Sequence, residues 1–237
     1  MTAEQQANDI MLASAVLYDK GVLDAFGHVS CRNAADPNSF LMSYSKAPDR
    51  IRAEDVLVHN LEGDILTKTD KRPFLERFIH SEIYKLRPDV NAIIHSHAPS
   101  VVPFTVVEGS LRPVCHMCGF LQGSGQPYEI RNSVGDASDM LIRNAQLGKD
   151  LAEHLSDLSV VLMRGHGFTV ATDTLAKAVF MAVYTEVGAR IQLSAIQLGE
   201  PNYLTPQEAK NSNDTNIGQM DRAWKLWVEE INVKRNF

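Results

Sequence analysis

The feature that most constrains this chain is an apolar run that ends on two histidines. Residues 90–97 read Val-Asn-Ala-Ile-Ile-His-Ser-His, and Ala-Pro-Ser follows at 98–100. The apolar part, 90–95, predicts a strand. Before it, Phe74, Phe78, Ile79, Ile83 and Leu86 recur at threes and fours, so 73–86 predicts a helix, which Arg-Pro-Asp-Val at 87–90 breaks. Side chains at i and i+2 of a strand leave the same face, with Cα atoms about 6.5–7 Å apart. His95 and His97 can therefore converge on one ion, at the metal–nitrogen distance of about 2.0–2.1 Å. The pair alone equally describes a strand end with two hydrogen-bonded imidazoles.

A third histidine changes the balance. His166 sits between Gly165 and Gly167, where two apolar stretches, 158–165 and 167–172, read as hairpin strands. The flanking glycines remove Cβ atoms and let the backbone approach a neighbour closely. Three neutral imidazoles would leave a divalent ion its full charge and an open position, the form of a catalytic site. A competing motif, Cys115-His116-Met117-Cys118, has no second cysteine pair to complete a structural zinc site, and its alternation suits a strand. Glu76 and His80 lie four residues apart on one helix face, and an acidic residue in a first helical turn ordinarily serves the helix dipole.

Helices and strands mix along the chain without strict βαβ alternation. Residues 3–18 predict a helix stopped near Gly21, 39–44 and 55–60 predict short strands, 62–64 a turn, and 137–155 a longer helix. Asp173 is placed to cap a helix over 174–198 that ends at Gly199. Thr205, Pro206 and Glu208 form a capping-box signature for a last helix holding Trp224 and Trp227. This pattern favours a mixed sheet with helices packed on it. With 237 residues, no repeat and no linker, the expectation is a single domain over 1–237 with a helical tail at about 205–237.

The net charge of −6, from 23 basic and 29 acidic residues, argues against a nucleic-acid surface. No segment reaches the roughly 18 apolar residues of a membrane span. Glu4, Asp9, Asp19 and Lys20 do not suit a signal peptide, and three cysteines suit reduced thiols. A soluble, cytoplasmic protein without nucleic-acid or membrane partners is expected.

Taken together, Gly-His-Val-Ser-Cys-Arg at 27–32, residues 76–100 and residues 160–171 resemble, in order and spacing, the class II aldolase/adducin family. The resemblance runs from about Ile10 to Ile196. It implies a three-layer α/β/α sandwich on a mixed, largely antiparallel sheet, and a homotetramer with sites near subunit interfaces. By the same resemblance His95, His97 and His166 bind one divalent ion per subunit, and Glu76 acts as acid/base or as a further ligand; three imidazoles suit Zn2+, and Mn2+ if Glu76 or substrate oxygens complete a larger shell. Trp224 and Trp227 are then placed to cover a neighbouring subunit's site.

Departures from the family pattern narrow the substrate. Its sugar-phosphate aldolases cradle phosphate with small hydroxyl and amide donors. The corresponding places here read Gly27-His28, Ser-Tyr-Ser-Lys-Ala-Pro at 43–48, and Phe74-Leu75. A phosphate needs several donors, so a phosphorylated sugar is not expected. The blocks at 72–80, 95–104 and 111–120 are closer to a branch that decarboxylates hydroxylated aromatic dicarboxylates. Phe74, Phe104 and Phe120 are candidates to line a flat pocket, and Arg72, Lys46 or Arg112 to meet a carboxylate. The expected function is metal-dependent carbon–carbon lysis, a decarboxylation of a hydroxylated aromatic or dienoic acid. Glu76 is the expected proton donor and His28 the second candidate. The alternatives are an aldolase or epimerase acting on an unphosphorylated hydroxy-keto acid, and a non-catalytic adducin-like module.

Overall fold

The computed structural model describes residues 2–235, so positions 236–237 of the expected tail lie outside it. Six strands form one sheet: β1 (His28–Arg32), β2 (Ser39–Ser43), β3 (Val56–Asn60), β4 (Ala92–Ser96), β5 (Val160–Met163) and β6 (Gly167–Thr172). Their order is β3-β2-β1-β4-β6-β5, and each ladder is antiparallel. A parallel contact occurs only as an isolated bridge between Tyr128 and Met163 among the described residues.

Period-two alternation sorts the strand residues onto two buried faces. Val29, Cys31, Leu41, Ala92, Ile94, Val160, Leu162, Phe168 and Val170 pack on one side with helices α1 (Ala3–Asp19), α5 (Leu175–Leu198) and α7 (Met220–Arg235). Phe40, Met42, Ile93, Val161, Met163 and Ala171 pack on the other with α2 (Arg77–Leu86) and α4 (Ala145–Leu155). The single-turn α3 (Arg131–Val134) lies between, and α6 (Pro206–Ile217) packs on a 3-10 turn at His116–Leu121. Helices thus cover both faces of an antiparallel sheet, the three-layer sandwich expected.

Several local expectations are corrected. The helix over 73–86 begins only at Arg77, because Glu76 holds the N-cap with φ −90° and ψ 20° and makes no capping bond. The helix over 137–155 begins at Ala145, where Asn144 caps it by accepting from the Leu147 N–H. Upstream, Ser138 and Asp139 side chains accept from the N–H groups of Met140 and Leu141, and these local bonds compete with helix. The Cys115–Cys118 stretch runs into the 3-10 turn, not a strand. Thr174, not Asp173, caps α5, accepting from the Lys177 N–H. The last helix is two, α6 and α7, parted after Ile217. Trp227 is buried against Tyr184 of α5 in the same chain, and Trp224 is half-buried against the same core.

Candidate metal centre

Sheet register lays down the floor of the site. His28 of β1 pairs with His95 of β4, and His95 pairs with Thr169 of β6. The three side chains form a row across three strands, on the face that Ile93 and Ala171 share with α2. His97 follows two residues beyond His95, just past the strand end. His166 comes from the tight turn between β5 and β6, where Gly165 adopts φ +61°. A Cβ on Gly167 would stand 2.0 Å from the Ser96 carbonyl oxygen, so only glycine lets this turn close against β4.

The three Nε2 atoms make a nearly equilateral triangle. The edges are 2.9 Å between His95 and His97, 3.1 Å between His95 and His166, and 2.9 Å between His97 and His166. Nitrogens this close to one another could all reach one divalent cation at the usual metal–nitrogen distance of about 2.0–2.1 Å. The far side of each ring decides whether Nε2 has a free lone pair. His166 Nδ1 donates to the Met140 carbonyl at 2.8 Å, a bond only the Nδ1–H tautomer can make. His95 Nδ1 lies 3.0 Å from Thr169 Oγ1, whose own hydrogen points at Met163 Sδ, so His95 is again the Nδ1–H tautomer. Both rings turn bare nitrogens inward, because a hydrogen bond from the far nitrogen of each ring fixes its tautomer, as in metal-bound histidines.

Glu76 completes the group. Its Oε1 accepts from the Ile142 N–H at 3.0 Å, and its Oε2 stands 3.7 Å from His95 Nε2 and 3.5 Å from His166 Nε2. The four ligand atoms lie within 4.8 Å of one another, the one such cluster among the described residues. Burial and then the neighbouring imidazoles hold His95 and His97 below the ordinary histidine pKa. Burial opposes charge on His166, but the Glu76 carboxylate and the Met140 carbonyl outweigh it and raise its pKa. A buried centre of three imidazoles and a carboxylate draws in positive charge, and its donors fit a divalent cation.

A pocket of about 330 Å³ opens beside the centre, lined by Phe26, His28, Ser45, Lys46, Phe74, Glu76 and His97 among others. That size suits a small ligand. Phe74 lies against His28, with ring centroids 4.7 Å apart. Lys46 is held at the wall by an ion pair with Asp55, Nζ to Oδ2 2.5 Å. Behind the wall His28 Nδ1 meets His80 Nε2 at 2.7 Å, His80 Nδ1 meets Ser30 Oγ at 2.6 Å, and Ser30 Oγ meets Tyr84 OH at 2.8 Å. Burial, then neighbouring imidazoles, holds His28 well below the usual range. Burial pushes His80 down to about 3.

Of the residues singled out in the sequence, His28, Lys46, Phe74, Glu76 and His97 line this pocket, and His95 and His166 join Glu76 and His97 in the ligand cluster. Arg72 is exposed and stands outside the lining; its backbone carbonyl accepts from the Ser45 N–H. Phe104 and Arg112 line a different cavity, where the Arg112 guanidinium stacks 3.8 Å from the Tyr203 ring. Phe120 lies in the 3-10 turn against the opposite core. Thr169, Met140, Ile142, Ser30 and Tyr84 escaped the sequence reading. Met140 and Ile142 act through backbone groups, which leave no residue-type signal. Met140 holds φ +70°, costly for a non-glycine residue, as it presents its carbonyl to His166.

Known proteins are similar to this chain in sequence and fold. The model of the class II aldolase and adducin N-terminal domain matches residues 8–193. Decarboxylase tropJ of Talaromyces stipitatus is 37% identical over 239 residues, covering 91% of this chain and 90% of that protein. The 3,4-dihydroxyphthalate decarboxylase of Arthrobacter keyseri is 29% identical over 203 residues, covering 80% and 78%. An aldolase II superfamily protein from Pseudomonas syringae has the same fold, with a TM-score of 0.81 at 19% identity, over 99% of this chain and 94% of that one. On the histidine centre, the sandwich that carries it and the family match across most of its length, this chain belongs to the class II aldolase/adducin family.

Proposed function

We propose that the protein is a divalent-metal-dependent decarboxylase of a hydroxylated aromatic carboxylic acid. The observation that carries this reading is the composition of the pocket beside the centre. An aromatic ring, a cation and a buried imidazole occupy the places where a sugar-phosphate enzyme would need a cradle of small donors. Its similarity to two decarboxylases, one of them of a dihydroxyphthalate, supports the same reaction class.

His95, His97 and His166 would hold the cation, with Glu76 beside it. Three imidazoles suit Zn2+, and Mn2+ would be suited if Glu76 or substrate oxygens complete a larger shell. Bound there, the cation supplies Lewis-acid stabilisation of the negative charge that decarboxylation throws onto a substrate hydroxyl oxygen. Phe74 packs against the ring, and Lys46, at the rim, meets a carboxylate; Arg72 reaches it only by a rearrangement of its loop. Glu76, anchored through Oε1 by Ile142, delivers a proton from Oε2 to the ring carbon that bears the departing carboxylate. Carbon dioxide then leaves, its bonding pair returns to the ring, and Glu76 takes a new proton from solvent. His28 is the second candidate for that delivery.

Exposed Phe26 and Leu75, at 68% and 58%, rim the pocket mouth, a surface suited to cover by a second subunit of a homotetramer. No helix among the described residues is long and apolar enough to cross a membrane, and a cytoplasmic location is part of the same proposal. The test is metal analysis of purified protein followed by a screen of hydroxylated benzoates and phthalates for CO2 release. A metal-loaded protein that instead yields an aldehyde or ketone from a hydroxy-keto acid would refute the decarboxylase reading.

A further inference from the structure

The chain of side chains behind His28 runs from the pocket into the core, and each member has a limited number of hydrogens to place. Tyr84 is 1% exposed, and its hydroxyl has Ser30 Oγ as its partner among the described residues. Its hydrogen must therefore go to Ser30, since a buried unpaired O–H costs free energy that a paired one does not. Ser30, fully buried, then sends its own hydrogen to His80 Nδ1. His80, accepting at Nδ1, carries its proton on Nε2 and donates to His28 Nδ1. His28, accepting there, carries its proton on Nε2, which no protein group engages among the described residues. The opposite direction would leave the phenolic hydrogen buried without an acceptor. The phenol at the blind end thus sets the direction of the whole chain.

We propose that Tyr84, Ser30 and His80 are positioning residues that lock His28 as its Nε2–H tautomer, a neutral hydrogen-bond donor to a substrate oxygen. The proposal rests on the reading of this pocket as the substrate site. It gives His28 a role other than moving a proton to carbon: its N–H meets the oxygen on which charge grows, and carbon protonation falls to Glu76 alone. Histidine is suited to this because a neutral ring can be held in one tautomer only by what its other nitrogen accepts.

The test reads the tautomer directly. Protein labelled with [15N]histidine and loaded with Zn2+, without substrate, is examined by 15N–1H correlation spectroscopy, the His28 signals being assigned by their loss in His28→Gln. The expected result is a protonated Nε2 and a bare Nδ1 on His28, turning to a mixed or reversed pattern in Tyr84→Phe. In turnover, Tyr84→Phe should lower kcat about 3–10-fold with KM nearly unchanged. His28→Gln, which keeps an N–H but has no proton to give, should retain more activity than His28→Phe. A protonated Nδ1 on His28 in the parent protein, a tautomer unmoved by Tyr84→Phe, or His28→Gln as inactive as His28→Phe would each overturn the proposal. The tautomer is measured without substrate, so failure of the decarboxylation screen counts against the proposed function and leaves this measurement to stand or fall by itself.

Discussion

Thr169→Val isolates what the strand row contributes to the metal centre. Valine has nearly the shape of threonine and suits β6, so the sheet should keep its register. The change removes the acceptor 3.0 Å from His95 Nδ1, where both residues are fully buried. Without a cation, His95 can move its proton to Nε2 and point it at the bare nitrogen of His166, 3.1 Å away. Binding a cation forces that proton back to Nδ1, now against a methyl group. A buried unpaired donor costs about 1–3 kcal/mol. Loss of the hydrogen-bond partner behind a ligating histidine typically weakens metal affinity about 10–100-fold, or about 1.4–2.7 kcal/mol. The two estimates agree, and the cost should fall on the metal-bound form. Competition titration against a chelator of known affinity should show the loss, while metal-free unfolding shifts by less. Thr169→Ser, which keeps the hydroxyl, should bind within a few-fold of the parent protein. If Thr169→Val binds the ion as tightly as the parent while folded, the tautomer argument for His95 is wrong.

Other expectations follow from the same geometry. Glu76→Gln keeps an acceptor for the Ile142 N–H but has no proton to deliver, so kcat should fall about 10²–10⁴-fold with metal content unchanged; loss of metal would show instead that Glu76 acts as a ligand. Gly167→Ala places a Cβ 2.0 Å from the Ser96 carbonyl oxygen, and should destabilise by at least about 1–3 kcal/mol in urea unfolding while weakening metal binding. Stripping the metal with a chelator should lower Tm, since at 100 times Kd a bound ion contributes about 2.7 kcal/mol; an unchanged Tm would mean that no ion binds the folded centre. Burial pushes His80 down to about 3 and His59 to about 4, whereas unfolded histidine titrates near 6.5. Between those values the unfolded chain binds more protons, so stability is full above about pH 6.5 and falls as pH drops. Each histidine contributes about 2 kcal/mol of that fall by pH 5, as an upper value, and urea unfolding at pH 7.5 and 5 checks it.

Much of the fold was legible locally. The apolar runs that became β4, β5 and β6 read as strands, and the capping box of Thr205 and Glu208 and the stop at Gly199 appear where expected. The three histidines were legible too, because strand ends and paired glycines are local signals. Local reading failed where two local preferences competed. Residues 137–144 have helical periodicity, but short bonds from Ser138 and Asp139 hold them irregular, and there Met140 and Ile142 supply a carbonyl and an N–H to the centre.

The sequence by itself determined that His95 and His97 share a strand face and that His166 stands on a tight turn, because side-chain direction in a strand depends only on spacing. Only the tertiary structure decided what surrounds them. The order β1-β4-β6 and its register bring His28, His95 and Thr169 into one row, although 67 residues separate the first two and 74 the last two. The same long-range packing turns Glu76 toward the imidazoles, takes Phe104 and Arg112 to another cavity, and sets His28 at the head of a chain that ends on Tyr84. Strand order and helix docking depend on contacts between distant segments, and no local pattern of residue types encodes which distant groups will meet.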